Sequence, residues 1–498
     1  MSFGKIISRG VAAFMVAGAL WLLLFGTKPG TYAYRDGTLV PGDFTVVTYW
    51  EKWTKEEAEA MQAVCDRFNE TVGRDKKIFV HFVSVSQVDQ KTLIATAGGN
   101  PPDIAGIWGA QMGTFSAYNA LTPLHELAAD GTITRETYKP FIYELCAPGG
   151  VPYAASSTPA AVALYWNKEL FREVGLDPEK PPQSIDELDA MADKLIIQKP
   201  DGTIVRAGFL PNFPGWWDYY WGNFFGNRLW ISETDDYRID TPEQVRAYTW
   251  YQKYAIKYGP GNVVSFGSGF GQFASPQNPF MSGEVAMCLQ GPWFVNYVQN
   301  YTPQFAGLNF TEVMRLRSLG KISEAEAETR LMKARDLFRH LYGASVPPNA
   351  VGKPSDVLIG DLDVWAIPRG ARNVKEAMEV IRFFSRQDNM EMLCRSHSKP
   401  SPLMKVSDEF IAKHPNPFID VFETMMRSDK MVAMPVSANW AKVQAEITNA
   451  NNAMWRTPDK YPVGPTLKET QIAADRHLAE YREITAIRKA AKSGGGAK

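Results

Sequence analysis

At 498 residues, with 53 Lys and Arg against 54 Asp and Glu, the chain is too long for one hydrophobic core and too evenly charged to favour a nucleic-acid partner. A composition of 45% hydrophobic and 21% charged residues is that of folded globular domains, and two domains of ordinary size are expected. Four cysteines (Cys65, Cys146, Cys288 and Cys394) lie far apart without metal-ligand spacing, so no metal site is expected and they read as small buried hydrophobes.

Lys5 and Arg9 precede an apolar run from Val11 to Phe25, which Gly26, Thr27, Lys28 and Pro29 end. Basic flank, apolar core and polar exit are the layout of an export signal. The run is long for a leader and slightly short for a membrane span, so residues 1–29 fit either a cleaved leader or a retained anchor. The chain beyond residue 29 is expected in the periplasm or cell envelope, tethered if the anchor stays. Residues 30–42 read as a linker.

Phe44 to Trp50 has the β-branched and aromatic content of a buried strand. Thr54 with Glu57 has the pattern of a capping box, and Ala58, Met61, Val64, Cys65 and Phe68 share one face of the helix it would open. A strand over Ile78–Val85, a helix over Val88–Ala97 ending at Gly98-Gly99, and a strand over Asp103–Trp108 come next. Strands alternating with helices predict a parallel sheet with right-handed crossovers, and such sheets hold ligands beyond their carboxyl strand ends. Those ends carry Trp50 and Glu51, then Ser86 and Gln87, then Trp108.

Further on, Ser184 with Glu187, and Thr241 with Pro242 and Gln244, predict two more helix starts. Residues 209–230 hold Trp216, Trp217, Trp221 and Trp230 without a helical or strand period, as a binding loop would. Val285–Gln290 reads as a strand, with Gly291-Pro292-Trp293 directly after it. Residues 311–340 are charged and helical in pattern, with Glu326 and Arg330 paired at i,i+4, and read as a solvated insertion. A strand over Val357–Pro368 precedes a helix opened by Asn373 and Glu376, and the glycine-rich tail from Ser493 is expected to be disordered.

In this order the segments Gly99-Asn100-Pro101-Pro102-Asp103-Ile104, Val151-Pro152-Tyr153, Leu164-Tyr165-Trp166-Asn167-Lys168-Glu169-Leu170-Phe171, Met281-Ser282-Gly283-Glu284-Val285-Ala286-Met287, Gly291-Pro292-Trp293 and Asp363-Val364-Trp365-Ala366-Ile367-Pro368-Arg369-Gly370 form a set. With them the chain resembles family 1 extracellular solute-binding proteins, the group of maltodextrin-binding protein, from about residue 43 to 480. The resemblance implies an α/β periplasmic-binding-protein fold of type II: two lobes, each a mostly parallel sheet flanked by helices, with a ligand cleft between them. It places lobe boundaries at 43–153, 154–360 (with the insertion at 311–350), 361–403 and 404–485, before a tail at 486–498. Crossings would fall near Tyr153, near Asp361 and after Leu403. Cleft closure about these hinges would present a loaded monomer to an ABC permease in the inner membrane.

Sugars offer an apolar face to aromatic rings and hydroxyls to charged acceptors. Trp108 and Trp293 match positions whose rings stack on sugar in the family, Trp440 resembles a third, and Trp216 or Trp217 would supply a fourth. Trp50, Glu51, Gln87, Tyr153, Asp361 and Asp363 complete the expected ligand set. The family often has glycine where Asp361 and Asp363 stand, and an acidic pair with rings would also suit a polyamine or peptide. A membrane-anchored sensor of the same shape is the alternative to import. No cofactor is expected, and no HExxH, G-x-S-x-G or opposed pair of carboxylates argues for an enzyme.

Overall fold

The computed structural model describes residues 32–35 and 38–494. The expected leader or anchor lies outside the described residues, among which no helix is long and apolar enough to cross a membrane. Where the composition suggests a linker, Tyr32–Arg35 and Thr38–Pro41 pair as an antiparallel ribbon. The strands of the two lobes are β1 (Thr45–Glu51), β2 (Ile78–Ser84), β3 (Ile104–Trp108), β4 (Ala154–Ala161), β5 (Ala163–Asn167), β6 (Ile197–Gln198), β7 (Ile204–Phe209), β8 (Val285–Gln290), β9 (Tyr342–Ser345), β10 (Leu358–Ala366) and β11 (Met431–Val432).

The first lobe's sheet runs β11-β10-β3-β1-β2, with β4 also on β10. β1 is parallel to β2 and β3, while β10 is antiparallel to β3 and β4. The second lobe's sheet runs β9-β5-β8-β7-β6, with β8 parallel to β7 and antiparallel to β5. In β1 the side chains of Val47, Tyr49 and Glu51 alternate inward, and the next helix (Lys55–Phe68) buries Met61, Val64, Cys65 and Phe68. Both follow from the periods of strand and helix. All four cysteines are buried and free, as small apolar side chains.

Local signals and tertiary packing disagree at two helix starts. The Thr54 side chain makes no cap bond, and Lys55 takes a left-handed φ of 50°. Glu57 is instead within range of the Lys399 charge. The Asn373 side chain turns away from its helix to donate to the Val46 carbonyl at 3.0 Å and so ties the helix to β1. Ser184 and Thr241 do cap, accepting from the Glu187 and Gln244 amides at 3.2 and 3.1 Å.

The lobe boundaries differ from those expected. The chain first crosses at Val162, not near Tyr153, because Ala154–Ala161 still pair with β10 in the first sheet. It returns between Ser345 and Leu358, ahead of Asp361. The last crossing comes after Val432, not Leu403. Helix Ile419–Met426 stays with the first lobe through the buried Lys139–Glu423 pair at 2.6 Å, and β11 pairs with β10.

The charged insertion forms helices Phe310–Ser318 and Glu324–Leu341. Its Glu326–Arg330 pair is present at 2.6 Å. It is not merely solvated, since Ala334, Phe338 and Leu341 are buried, and Arg339 donates to the Pro417 carbonyl at 2.6 Å. An amphipathic helix hides such a face behind a charged composition. The final helix, Val463–Gly494, runs into the expected disordered tail, whose residues 495–498 lie outside the described residues.

Candidate ligand site

β1 ends at Glu51, and the next residues, Lys52 and Trp53, turn toward β3 and β10. The Glu51 carboxylate does not reach the rim. It folds under the sheet, fully buried, accepts from the Tyr49 hydroxyl at 2.7 Å and from the Lys52 amide at 2.8 Å, and occupies the space over Gly106. A Cβ at Gly106 would stand 1.7 Å from its oxygen, so any side chain there would displace the buried carboxylate. Tyr49 in turn accepts from the Trp365 indole at 2.8 Å, which places Trp365 in the core as its strand pattern predicts. Burial, more than any charge nearby, raises the Glu51 pKa, which is the ordinary penalty on a desolvated carboxylate.

Register places Asp363 of β10 opposite Trp108 of β3. Asp363 is the centre of the site. Lys52 Nζ lies 2.6 Å from its Oδ1 and Lys399 Nζ 3.0 Å from its Oδ2. Lys399 also donates to the Thr158 hydroxyl at 2.9 Å. Burial pushes the Asp363 carboxyl up, but the Lys52 and Lys399 charges outweigh it and hold the group well below the usual carboxylate range. Burial likewise pulls on the Lys52 ammonium, and Asp363 and then Glu51 reverse the effect and keep it charged. Its neighbour on β10, Asp361, is half-buried, accepts from the Leu362 amide at 2.8 Å, and is pushed up to about 7 by burial and then by the Asp363 charge.

Aromatic rings surround this ionic centre. Lys52 Nζ sits 5.8 Å from the Trp108 ring centre and 5.7 Å from that of Trp53. Lys399 Nζ sits 5.8 Å from Trp53 and 5.5 Å from Trp293. Such distances fall within cation–π range. Trp293 belongs to the second lobe, so the Lys399 contact spans the cleft. Its ring folds back over Gly291, where a Cβ would stand 2.3 Å away, and lies 6.2 Å from the Trp217 ring at 31°. Trp108 remains 49% exposed on the first lobe's rim.

The expected residues therefore separate. Trp108, Trp293 and Asp363 come together through Lys52 and Lys399, and the buried Trp217 joins them only through the Trp293 ring. Trp216 is exposed and packs on Phe273 at 4.6 Å, beside the cluster. Trp50 is half-buried, on the alternate face of β1 from Glu51. Gln87 is exposed at a left-handed helix start, with φ 55°. Tyr153 is half-buried and leads into β4. Trp440 is fully enclosed, with Tyr219 edge-on at 5.5 Å and Tyr237 stacked at 6.2 Å, which leaves neither face open. Sequence reasoning missed Lys52, Trp53, Thr158 and Lys399. Lys52 and Trp53 come directly after a strand end and were legible there, whereas Lys399, far along the chain, carries no local signal.

Two buried side chains of the second lobe near Trp293 keep polar atoms without a hydrogen-bond partner: both amide atoms of Gln290 and the Trp217 indole nitrogen. Buried polar groups ordinarily find partners, so these are candidates for ligand contact. A groove of about 830 Å³ runs between Phe141 of the first lobe and the Tyr220–Trp230 segment of the second.

Residues 52–391 match the model of the bacterial extracellular solute-binding protein family. Over 362 residues the chain is 23% identical to the sn-glycerol-3-phosphate-binding periplasmic protein UgpB of Pectobacterium atrosepticum, covering 69% of this chain and 70% of that one. The structure of CpMnBP1 with mannobiose bound superposes with a TM-score of 0.67 at 24% identity, over 86% of this chain and 99% of that one. The substrate-binding protein Lmo0181 of Listeria monocytogenes in complex with cycloalternan gives 0.65 at 15% identity, over 88% and 100%. These neighbours share the two-lobed fold, and with the family model spanning most of its length the chain belongs to the bacterial extracellular solute-binding proteins.

Proposed function

We propose that this solute-binding protein captures a saccharide between its lobes outside the cytoplasm and delivers it, without chemical change, to an ABC-type permease. The observation that carries this reading is that Trp108 on one lobe and Trp293, backed by Trp217, on the other flank the same Lys52–Asp363–Lys399 cluster. Rings of this kind cover the apolar face of a pyranose, and the carboxylate, ammonium and amide groups between them suit its hydroxyls. The mannobiose and cycloalternan ligands of the structural neighbours support the same class, whereas the relative named for sn-glycerol 3-phosphate points to a phosphorylated solute, the rival that the screen includes.

A thermal-shift screen against mannobiose, maltose, glycerol phosphate and polyamines tests it. A ligand that binds only the folded state adds about 3 kcal/mol at a hundredfold excess over its dissociation constant. A neutral saccharide is expected to raise the melting temperature, and Trp293→Ala is expected to abolish that shift. A shift with polyamines alone would refute the saccharide reading while keeping the binding-protein fold.

A further inference from the structure

We infer that Asp363 sets the charge class of the solute: it neutralises Lys52 and Lys399 from within the cleft, so that the site takes an uncharged polyol and turns away phosphate. This selection rests on the saccharide reading of the cleft and adds to it the residue that discriminates.

An anion site needs positive charge that is not already spent. Among the described residues, Lys52 and Lys399 are the cations in contact with the Trp108 and Trp293 rings, and Asp363 holds both, at 2.6 and 3.0 Å. Their remaining partners are internal as well: the Thr158 hydroxyl at 2.9 Å for Lys399 and the Glu51 carboxylate at 3.4 Å for Lys52. Asp361 lies close enough to feel both ammonium charges, Asp89 to feel that of Lys52, and Glu57 to feel both. Burial raises the pKa of these three carboxyls and of Glu51, whereas the two ammonium groups hold Asp363 well below the usual carboxylate range, so Asp363 carries the firm negative charge at the rim. A phosphate entering here would meet Asp363 in the place it needs, and like charges brought together in a desolvated cleft repel strongly.

What holds the two ammonium groups in place is Asp363 itself, with Thr158 beside Lys399. A neutral sugar faces no such conflict. Its hydroxyls can donate to Asp363 or Asp361, and they can pair with the unpartnered Gln290 amide and Trp217 indole, both of which are uncharged. Specificity then comes from a built-in repulsive group as well as from attractive rings.

Melting and calorimetric titrations of the exported chain with inorganic phosphate and sn-glycerol 3-phosphate test the inference. The wild type is expected to be indifferent to both at millimolar concentration. Asp363→Asn, which frees two ammonium groups, is expected to bind both, with affinity tightened by about tenfold or more. Lys399→Met added to that variant is expected to remove the gain. Saturable binding of either phosphate by the wild type overturns the inference, and needs no variant to be folded. So does a folded Asp363→Asn protein that stays indifferent; should it fail to fold, Asp363→Ser offers the same comparison. These arms use no saccharide, so their failure overturns charge selection alone, whereas failure of neutral saccharides to bind overturns the saccharide reading.

Discussion

Replacing Asp361 by Asn should stabilise the protein, and by an amount that depends on pH. The Asp361 carboxyl titrates at about 7 in the folded chain, against 3.8 for its ordinary value, because it is desolvated and faces the Asp363 charge. A group whose acid form is favoured by folding binds more protons in the native than in the unfolded state, so stability falls as pH rises through the interval between the two values. Below about pH 4 the carboxyl is neutral in both states and costs nothing. Above about pH 7 it is ionised in both, and the full penalty, about 4 kcal/mol, is present. Partial solvent access to the side chain makes that figure a ceiling. Asn removes the charge and keeps the shape, so the gain should be at most about 1.5 kcal/mol at pH 5 and should rise toward pH 8, staying below about 4 kcal/mol. Urea denaturation of the two proteins across this range measures it. A gain that is flat with pH, or that grows toward acid, would refute the reasoning.

Gly106→Ala places a methyl group against the buried Glu51 carboxylate and should cost roughly 3 kcal/mol or more in urea denaturation, since hydrogen bonds to a buried charge are lost. Trp440→Ala should cost about 3–5 kcal/mol through the cavity it leaves, while Trp108→Ala, half-exposed, should lower saccharide affinity with little change in stability. Gly291→Ala should push the Trp293 ring out of place, seen as altered tryptophan fluorescence and loss of the saccharide shift in a protein that still folds cooperatively.

Much of the architecture is legible in the residues. The β1, β2 and β3 strands and the helices between them follow from apolar periods and turn residues, and the ordered segments around Asp103, Leu164, Met281 and Asp363 carry the two-lobed fold. The crossings are less legible. Small residues of β4 continue the first sheet past Tyr153, and only pairing with β10, some two hundred residues later in the chain, reveals this. The same limit governs the site. Trp108 and Trp293 are visible as rings at or just past strand ends. Glu51 sits at such an end too, yet alternation along β1 turns it inward beneath Gly106. Trp440 lies at a helix start, where neighbouring tyrosines close over it. The pairing of Lys52 and Lys399 through Asp363 joins three distant stretches of chain, and no local pattern encodes it.

The central claim is that a saccharide is held between the lobes by Trp108 and Trp293. The most direct test is a crystal structure of the protein grown with the saccharide that gives the largest melting shift. Sugar density stacked on the Trp293 ring, with hydroxyls within hydrogen-bond reach of Asp361 or Gln290, is the predicted result. Sugar bound elsewhere, with the Trp108, Lys52, Asp363, Lys399 and Trp293 cluster unchanged, would contradict it.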